Sequence, residues 1–442
     1  MNDEKIPALD HGSDFAEAES PGIEYVSRPV SGAERDLGKA SAAEEACLVG
    51  DREAIARLAI SKDGLLNDKI RRKAWPILLG YDDADAVTQS QHGDKDGHLE
   101  DQSNSSSWKD LPPHGDENQV QLDVNRSFIY YPTNMSPRES KARKQELSDL
   151  IVEVLRRHPM LCYFQGFHDI CQVFLLVLGP RRAVPAVEHI SLLRIRDFML
   201  PSMSPALDHL HLLYPLLYAA DKKLCAHISR TQPFFALAAT LTLYAHDIQE
   251  YSDIARLFDV LLAMDPVFPV YLFAEIVLHR KEELFEIPDD EPEMLHSILS
   301  KLPKPLDLEG LISRANLLLD TYPPESLSTW SKISPKSVLK TSRISPTSSG
   351  KSYTLEQAEG LFHAQCRELE WAKKKEEIFK RLAKHKGPTT AFALTIVVGL
   401  SAVGLGWYMR KSGVNLDLDA ISTILTGSAT LRRFFATIGL SR

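Results

Sequence analysis

The sequence predicts an all-α fold with one transmembrane helix near the C-terminus. Apolar residues recur at helical spacing across most of residues 41–320, and neither sustained period-2 alternation nor an Asn-Gly hairpin signal interrupts them. Residues 391–409, AFALTIVVGLSAVGLGWYM, form a run of 19 without a charge. At about 1.5 Å per residue they span roughly 28 Å as a helix, close to a hydrocarbon core. The chain has 442 residues and is 44% hydrophobic, long and apolar enough for a sizeable core.

Residues 1–40 are polar and acidic. They cannot bury enough apolar area to offset chain entropy, so disorder is expected. A helical domain is expected over 41–320, starting with EEACLVGDREAIARLAIS. The next helix lies in LNDKIRRKAWPILLGYD, capped by Asn67 or Asp68 and bent or broken at Pro76. Residues 82–118 are rich in Asp, Ser, Gln and His and read as a disordered insertion. Ser136-Pro137-Arg138-Glu139 then supplies a cap, a first-turn proline and a capping-box glutamate. Leu147, Leu150, Ile151, Val154 and Leu155 follow as one apolar stripe, and Pro159 ends that helix near His158.

The segment MLCYFQGFHDICQVFLLVLGP is apolar nearly all round toward its end, which predicts a central buried helix closed by Pro180. Further helices are expected over 183–200, 205–228, 233–248, 252–264, 266–286, 291–301 and 307–320, with caps at Ser252 and Asp265. Residues 321–353 are dominated by Pro, Ser and Lys and read as a linker. Ser334 and Ser345, each followed by proline, are either phosphorylation sites or plain linker. A charged helix is expected over 354–388.

Flanking charge orients the apolar run. Residues 373–390 hold seven Lys or Arg and residues 410–427 hold two, which places the large N-terminal part in the cytosol. Trp407-Tyr408 at one end and Arg410-Lys411 just beyond favour a membrane span over a buried soluble helix. The tail, 410–442, is expected to be luminal. Leu431, Phe434, Phe435 and Ile438 share one helical face there, as an interfacial helix or as part of a segment re-entering the bilayer with 421–425.

Composition excludes several function classes. Net charge is -9, so the chain as a whole is no electrostatic nucleic-acid binder. Five widely spaced cysteines read as reduced thiols. Cys162, His168 and Cys171 offer three candidate metal ligands without a fourth, so packing is expected there and no metal. The N-terminus has no signal-peptide core. A Walker A lysine loop, a GxGxxG after a strand, a GxSxG elbow and an HExxH helix are all absent.

Two polar clusters remain. Leu122-Asp123-Val124-Asn125-Arg126 contains a DxxR, which taken alone is a solvated i,i+3 ion pair. Tyr163-Phe164-Gln165-Gly166 sets a glutamine and a glycine in an apolar stretch, which alone reads as close helix packing. In order, however, LDVNR and YFQG resemble the IxxDxxR and YxQG motifs of the TBC domain. Arg71-Arg72-Lys73-Ala74-Trp75-Pro76 with the following LLG resembles that family's RxxxW segment. Ala255-Arg256-Leu257-Phe258-Asp259 resembles its later RxxD helix, with Phe258 where Trp often stands. The resemblance covers about 60–320. LDVNRS, YFQGFHDI, and RLFDVLLAMDPVFPVYLFAEIVL before His279-Arg280 are similar to the family's ER-anchored branch.

The resemblance implies a GTPase-activating protein for a Rab-family small GTPase of ER-to-Golgi traffic, sited on the endoplasmic reticulum membrane. It implies that Arg126 is an arginine finger and Gln165 a glutamine finger. Asp123 then fixes the arm bearing Arg126, Gly166 allows a close helix approach, and Asn125 and Tyr163 support them. Arg71, Trp75, Arg256 and Asp259 are implied to be structural. The chain needs no cofactor of its own, because the partner GTPase carries GTP and Mg2+. Two alternatives stay open: a non-catalytic membrane-bound adaptor that holds a Rab, and membrane shaping by 391–438.

Overall fold

The described residues of the computed structural model are 32–81, 108–132, 135–343 and 353–384, and among them there are helices and no strands. The chain divides after Phe362 into two units. In the first, α1 (Gly32–Val49), α2 (Arg52–Ile60) and α3 (Asp68–Leu79) open the domain. Asp51 caps α2 by accepting from the Ala54 amide at 2.9 Å, and Asn67 caps α3 by accepting from Ile70 at 3.1 Å. Helix α3 runs through Pro76, where a bend or a break was expected, and does not end there. Only one turn remains beyond the proline, so little hydrogen bonding is lost, and Trp75, Pro76, Leu78 and Leu79 are all buried.

Helices α4 (Glu117–Val124), α5 (Pro137–Arg157), α6 (Phe167–Leu178) and α7 (Pro180–Leu193) form the next layer. The capping box at the start of α5 is present, with Ser136 donating its amide to Glu139 at 2.8 Å and its hydroxyl accepting from Glu139 at 3.3 Å. The helix expected to include Cys162 and Gln165 starts only at Phe167. Positive φ at Gly166 (104°) ends the extended approach to it.

The end of the segment read as a disordered insertion is packed. Trp108–Asp110 forms one 3-10 turn. Arg156 on α5 bonds Glu117 at 2.7 Å and the Lys109 carbonyl at 3.1 Å, and its guanidinium lies 5.6 Å from the Trp108 ring centroid. One arginine thus gathers three otherwise unremarkable residues.

Short helices follow: α8 (Ser204–Leu210), α9 (Leu213–Ala220), α10 (Lys222–His227) and α11 (Leu237–Leu241). The helix expected over 233–248 stops at Leu241 because Leu243 and Tyr244 take positive φ, 50° and 65°, with the Tyr244 hydroxyl buried against the Pro269 carbonyl at 2.8 Å. Then come α12 (Tyr251–Ala263), α13 (Phe268–His279), α14 (Lys281–Phe285), α15 (Pro292–Leu299) and α16 (Leu308–Thr321). Neither Ser252 nor Asp265 occupies the expected cap position: Glu250 and Val267 do. Helices α13 and α16 pack along each other, and α12 packs on both α2 and α3. The core of that junction is a ring cluster, Trp75–Phe174 at 5.6 Å, Trp75–Phe258 at 6.0 Å and Phe174–Phe258 at 5.7 Å.

The stretch read as a linker also packs on the first unit as far as Arg343. Leu327, Ile333, Val338 and Leu339 are buried, the last two in α17 (Val338–Thr341). Buried Asp197 accepts from the Ser337 hydroxyl and from the Val338 amide. Its neighbour Arg196 donates to the Lys336 carbonyl at 2.6 Å and to Thr341 Oγ1 at 3.1 Å. Few apolar residues suffice there because Arg196 and Asp197 satisfy the polar ones. At the N-terminal boundary α1 begins at Gly32, ahead of the expected start at residue 41.

Helix α18 (Leu355–Lys384) crosses the boundary between the units. Within the first unit its Ala358 and Phe362 are buried, and Glu359 lies 2.8 Å from His158 Nδ1. Burial alone would lower the His158 pKa, but the neighbouring carboxylates of Glu188 and Glu359 hold it above the ordinary histidine value. The transmembrane helix expected at 391–409 and the tail 410–442 lie outside the described residues, as do 1–31 and 82–107. Among the described residues no helix is long and apolar enough to cross a membrane.

Candidate functional site

Asp123 is the centre of the first polar cluster. It sits at the buried end of α4, with no solvent-exposed surface. Its Oδ1 accepts from Arg126 at 2.6 Å and from Gln119 at 3.2 Å, and its Oδ2 accepts from the Tyr163 hydroxyl at 2.9 Å. The LDVNR and YFQG segments, forty residues apart in sequence, therefore share one carboxylate. A buried carboxylate needs such donors, since an unpaired one is costly to desolvate.

Arg126 points the other way. Its side chain is 65% exposed, and one terminal nitrogen meets Asp123. The remainder of the guanidinium fork is available to an incoming anion, which suits bidentate phosphate recognition. The backbone around it is pinned from three sides. Arg126 N donates to the Asp123 carbonyl at 3.0 Å, Lys144 donates to the Asn125 carbonyl at 2.6 Å, and Phe128 N donates to Gln172 on α6 at 2.9 Å. Phe128 itself takes φ 59°, a strained conformation for a non-glycine residue, and its buried ring and bonded amide hold it there. Asn125 is exposed and accepts from Gln121 at 3.1 Å through its side chain. Leu122, Ile129 and Tyr130, close to Arg126 in sequence, are exposed apolar residues of the kind that a partner surface covers.

Tyr163 is fixed at both ends, its amide donating to Asp116 at 2.9 Å and its hydroxyl to Asp123. Burial, then the Asp123 charge, push its pKa well up, so the hydroxyl remains a donor. Two residues on, Gln165 is exposed, and its side-chain amide forms no hydrogen bond among the described residues. Gly166 behind it is buried with φ 104°, and a Cβ there would stand 2.6 Å from the Thr242 methyl. Glycine is required at this position both for its conformation and for the approach to Thr242.

A chain of polar groups that the sequence reading did not connect runs on from Tyr163 to the exposed His246. The Tyr163 hydroxyl lies 3.2 Å from His168 Nδ1, His168 Nε2 lies 3.3 Å from Asp169, and Asp169 accepts from His246 at 3.0 Å. Burial pushes the His168 pKa down, whereas the Asp169 hydrogen bond raises that of His246. The adjacent His-Asp pair within an apolar helix was the available signal for this chain. Among the described residues no set of His, Cys, Asp and Glu is arranged to hold a metal ion, and Cys171 is buried with its thiol pKa pushed well up.

The other four motif residues meet elsewhere, in a second cluster. Asp259, fully buried on α12, accepts from Arg71 Nε at 3.0 Å, from Trp75 Nε1 at 2.8 Å and from the Leu65 amide at 3.0 Å. Arg71 also bonds Asp68 at 2.9 Å, which in turn accepts from Tyr251 at 2.6 Å. Arg256, one turn before Asp259, pairs with Glu309 at 2.5 Å and closes the α2 end by donating to the carbonyls of Ala59 and Ser61, both at 2.9 Å. Gly64, with φ 52°, leaves the room: a Cβ there would lie 2.6 Å from an Asp259 oxygen. The four motif side chains of this cluster are all buried.

Comparison with known proteins places this architecture. Residues 68–285 match the profile of the Rab-GTPase-TBC domain. TBC1 domain family member 20 of Bos taurus is 36% identical over 280 residues, which cover 63% of this chain and 65% of the relative. The chain thus spans just under two thirds of that relative's length. The GTPase-activating protein gyp10 of Schizosaccharomyces pombe is 32% identical over 286 residues, covering 64% of this chain and 72% of gyp10. In fold, the crystal structure of the Ypt/Rab-GAP domain of Gyp1p superposes with a TM-score of 0.50 at 14% identity, over 65% of this chain and 99% of that domain. The chain belongs to the Rab-GTPase-TBC domain family.

Proposed function

We propose that the protein is a GTPase-activating protein for a Rab-family GTPase, completing the partner's active site with Arg126 and Gln165. The observation that carries this reading is the shared carboxylate. Asp123 ties the Arg126 arm to the Tyr163-Phe164-Gln165 segment while leaving both side chains exposed. The partner supplies GTP, Mg2+ and the phosphate-binding loop. Charge accumulates on the transferring phosphoryl group, and a cation delivered in trans stabilises it. Arg126 has the fork and the permanent charge for that task. Gln165 offers both an amide donor and a carbonyl acceptor, enough to orient the attacking water.

The test is single-turnover GTP hydrolysis by a panel of Rabs with the full chain. At least one Rab is expected to respond. A panel in which none does, with correctly folded protein, sinks the reading. A non-catalytic adaptor would instead bind GTP-loaded Rab without preferring GDP with aluminium fluoride, the transition-state mimic.

We further propose that residues 391–409 anchor the domain on the cytosolic face of the endoplasmic reticulum and that the partner Rab serves ER-to-Golgi traffic. The charge-free run, its asymmetric basic flanks and the resemblance to the anchored branch support this. Protease treatment of intact microsomes is expected to remove the large domain and spare a fragment beginning near residue 390. Carbonate extraction that releases the whole chain would count against the anchor.

A further inference from the structure

The second unit carries an amphipathic face that neither the GTPase site nor the apolar run uses. From Trp371 to Arg381 every residue of α18 is exposed. Trp371 is 75%, Ile378 57% and Phe379 60% exposed, an unusual cost for three large apolar side chains on one helix. They sit at i, i+7 and i+8, hence on one side. Lys375 shares that side, its Nζ 6.0 Å from the Phe379 ring centroid. Lys374 flanks it one position earlier on the helical circuit. The acidic residues Glu376 and Glu377 fall toward the other side, and Glu376 is already paired with Lys380 at 2.5 Å.

Charge narrows the occupant. Between residues 373 and 386 there are seven Lys or Arg and two Glu, in a chain whose overall net charge is -9. Positive charge is thus concentrated beside the exposed aromatic stripe. A second copy of the helix is a poor fit. One heptad phase through Trp371 and Ile378 puts Lys374 and Arg381 in the seam, and the other puts Glu368 and Lys375 there. Position adds a third argument. Six residues separate Lys384 from the start of the charge-free run at Ala391. Fully extended they reach at most about 20 Å, so a bilayer holding that run lies within reach of the end of the helix.

We infer that the Trp371/Ile378/Phe379 face of α18 lies in the interface of an anionic phospholipid bilayer, with the neighbouring lysines on the headgroups. Apolar side chains at acyl-boundary depth and a basic border are what interfacial helices and juxtamembrane polybasic segments combine. Interfacial tryptophan suits the headgroup level. The surface is distinct from the membrane-crossing run and depends on lipid charge, which that run does not.

The test is amide hydrogen exchange of the full chain reconstituted in bilayers of phosphatidylcholine alone or of phosphatidylcholine with phosphatidylserine. Exchange across 367–384 is expected to slow roughly tenfold or more in the anionic bilayer. Raised salt, Lys374→Glu with Lys375→Glu, or Ile378→Ser with Phe379→Ser should each abolish the difference. Exchange across 147–155 in the GTPase-activating domain should not change. Equal exchange at 367–384 in both bilayers overturns the inference. So does protection that ignores lipid charge and grows with protein density, the signature of a second copy. Should 391–409 fail to insert, protein added to preformed vesicles answers the same question, because the comparison between neutral and anionic lipid is unaffected.

Discussion

Arg126→Ala is expected to lower the stimulated rate of GTP hydrolysis by a responsive Rab by about 10³–10⁵, equivalent to roughly 4–7 kcal/mol of transition-state stabilisation. The protein itself should stay folded. Arg126 is mostly exposed, and its pair with Asp123 contributes at most about 1 kcal/mol to stability. Asp123 keeps its bonds from Tyr163 and Gln119 in the variant. Binding to GTP-loaded Rab should change little, because the finger's charge matters chiefly when the transferring phosphoryl group accumulates charge. Arg126→Lys should rescue only weakly, since an ammonium cannot fork onto two oxygens. A rate within tenfold of the unmodified protein, in single-turnover conditions with a responsive Rab, would falsify the assignment of Arg126.

Asp259→Ala is expected to destabilise the domain by about 3–5 kcal/mol, because it leaves the Arg71 guanidinium buried without its main partner. Trp75 and the Leu65 amide lose their acceptor at the same time. For a domain of this size the unfolding temperature should fall by roughly 6–20 °C. Differential scanning calorimetry or far-ultraviolet circular dichroism reads it. Arg71→Met combined with Asp259→Leu should be milder than Asp259→Ala alone, since no charge is then stranded. An unchanged midpoint for Asp259→Ala would mean that the cluster is solvated in solution and not the clamp described above.

What the sequence revealed and what it hid follow one physical rule. Apolar patterning located α5 and α16, each of which buries one long stripe, and α12, which is buried at every position from Ile254 to Ala263. It failed at 233–248, where two consecutive left-handed residues, Leu243 and Tyr244, turn the chain for reasons that lie in their tertiary partners. Composition mistook 108–118 and 322–343 for unstructured chain. Their order comes from single polar residues elsewhere, Arg156 in the first case and Arg196 with Asp197 in the second. The site behaved the same way. Arg126 and Gln165 were singled out only through ordered motifs, since spacing alone made them a surface ion pair and a packing residue. The link through Asp123 and Tyr163 joins residues forty apart and leaves no periodic trace. His168, Asp169 and His246 extend it by contacts that are visible only in three dimensions.

The Asp259 cluster has a consequence for how the protein is made. Arg71 and Asp259 are 188 residues apart. At a synthesis rate of about 5–20 residues per second, Arg71 and Trp75 leave the ribosome roughly 10–40 s before the carboxylate they need. During that interval the ring cluster also lacks Phe258, so Trp75 has only Phe174 of its two ring partners once α6 has been made. Until α12 emerges the nascent chain exposes apolar surface that the finished domain buries, and ribosome stalling before residue 259 is expected to leave a chain more prone to aggregate than the completed one.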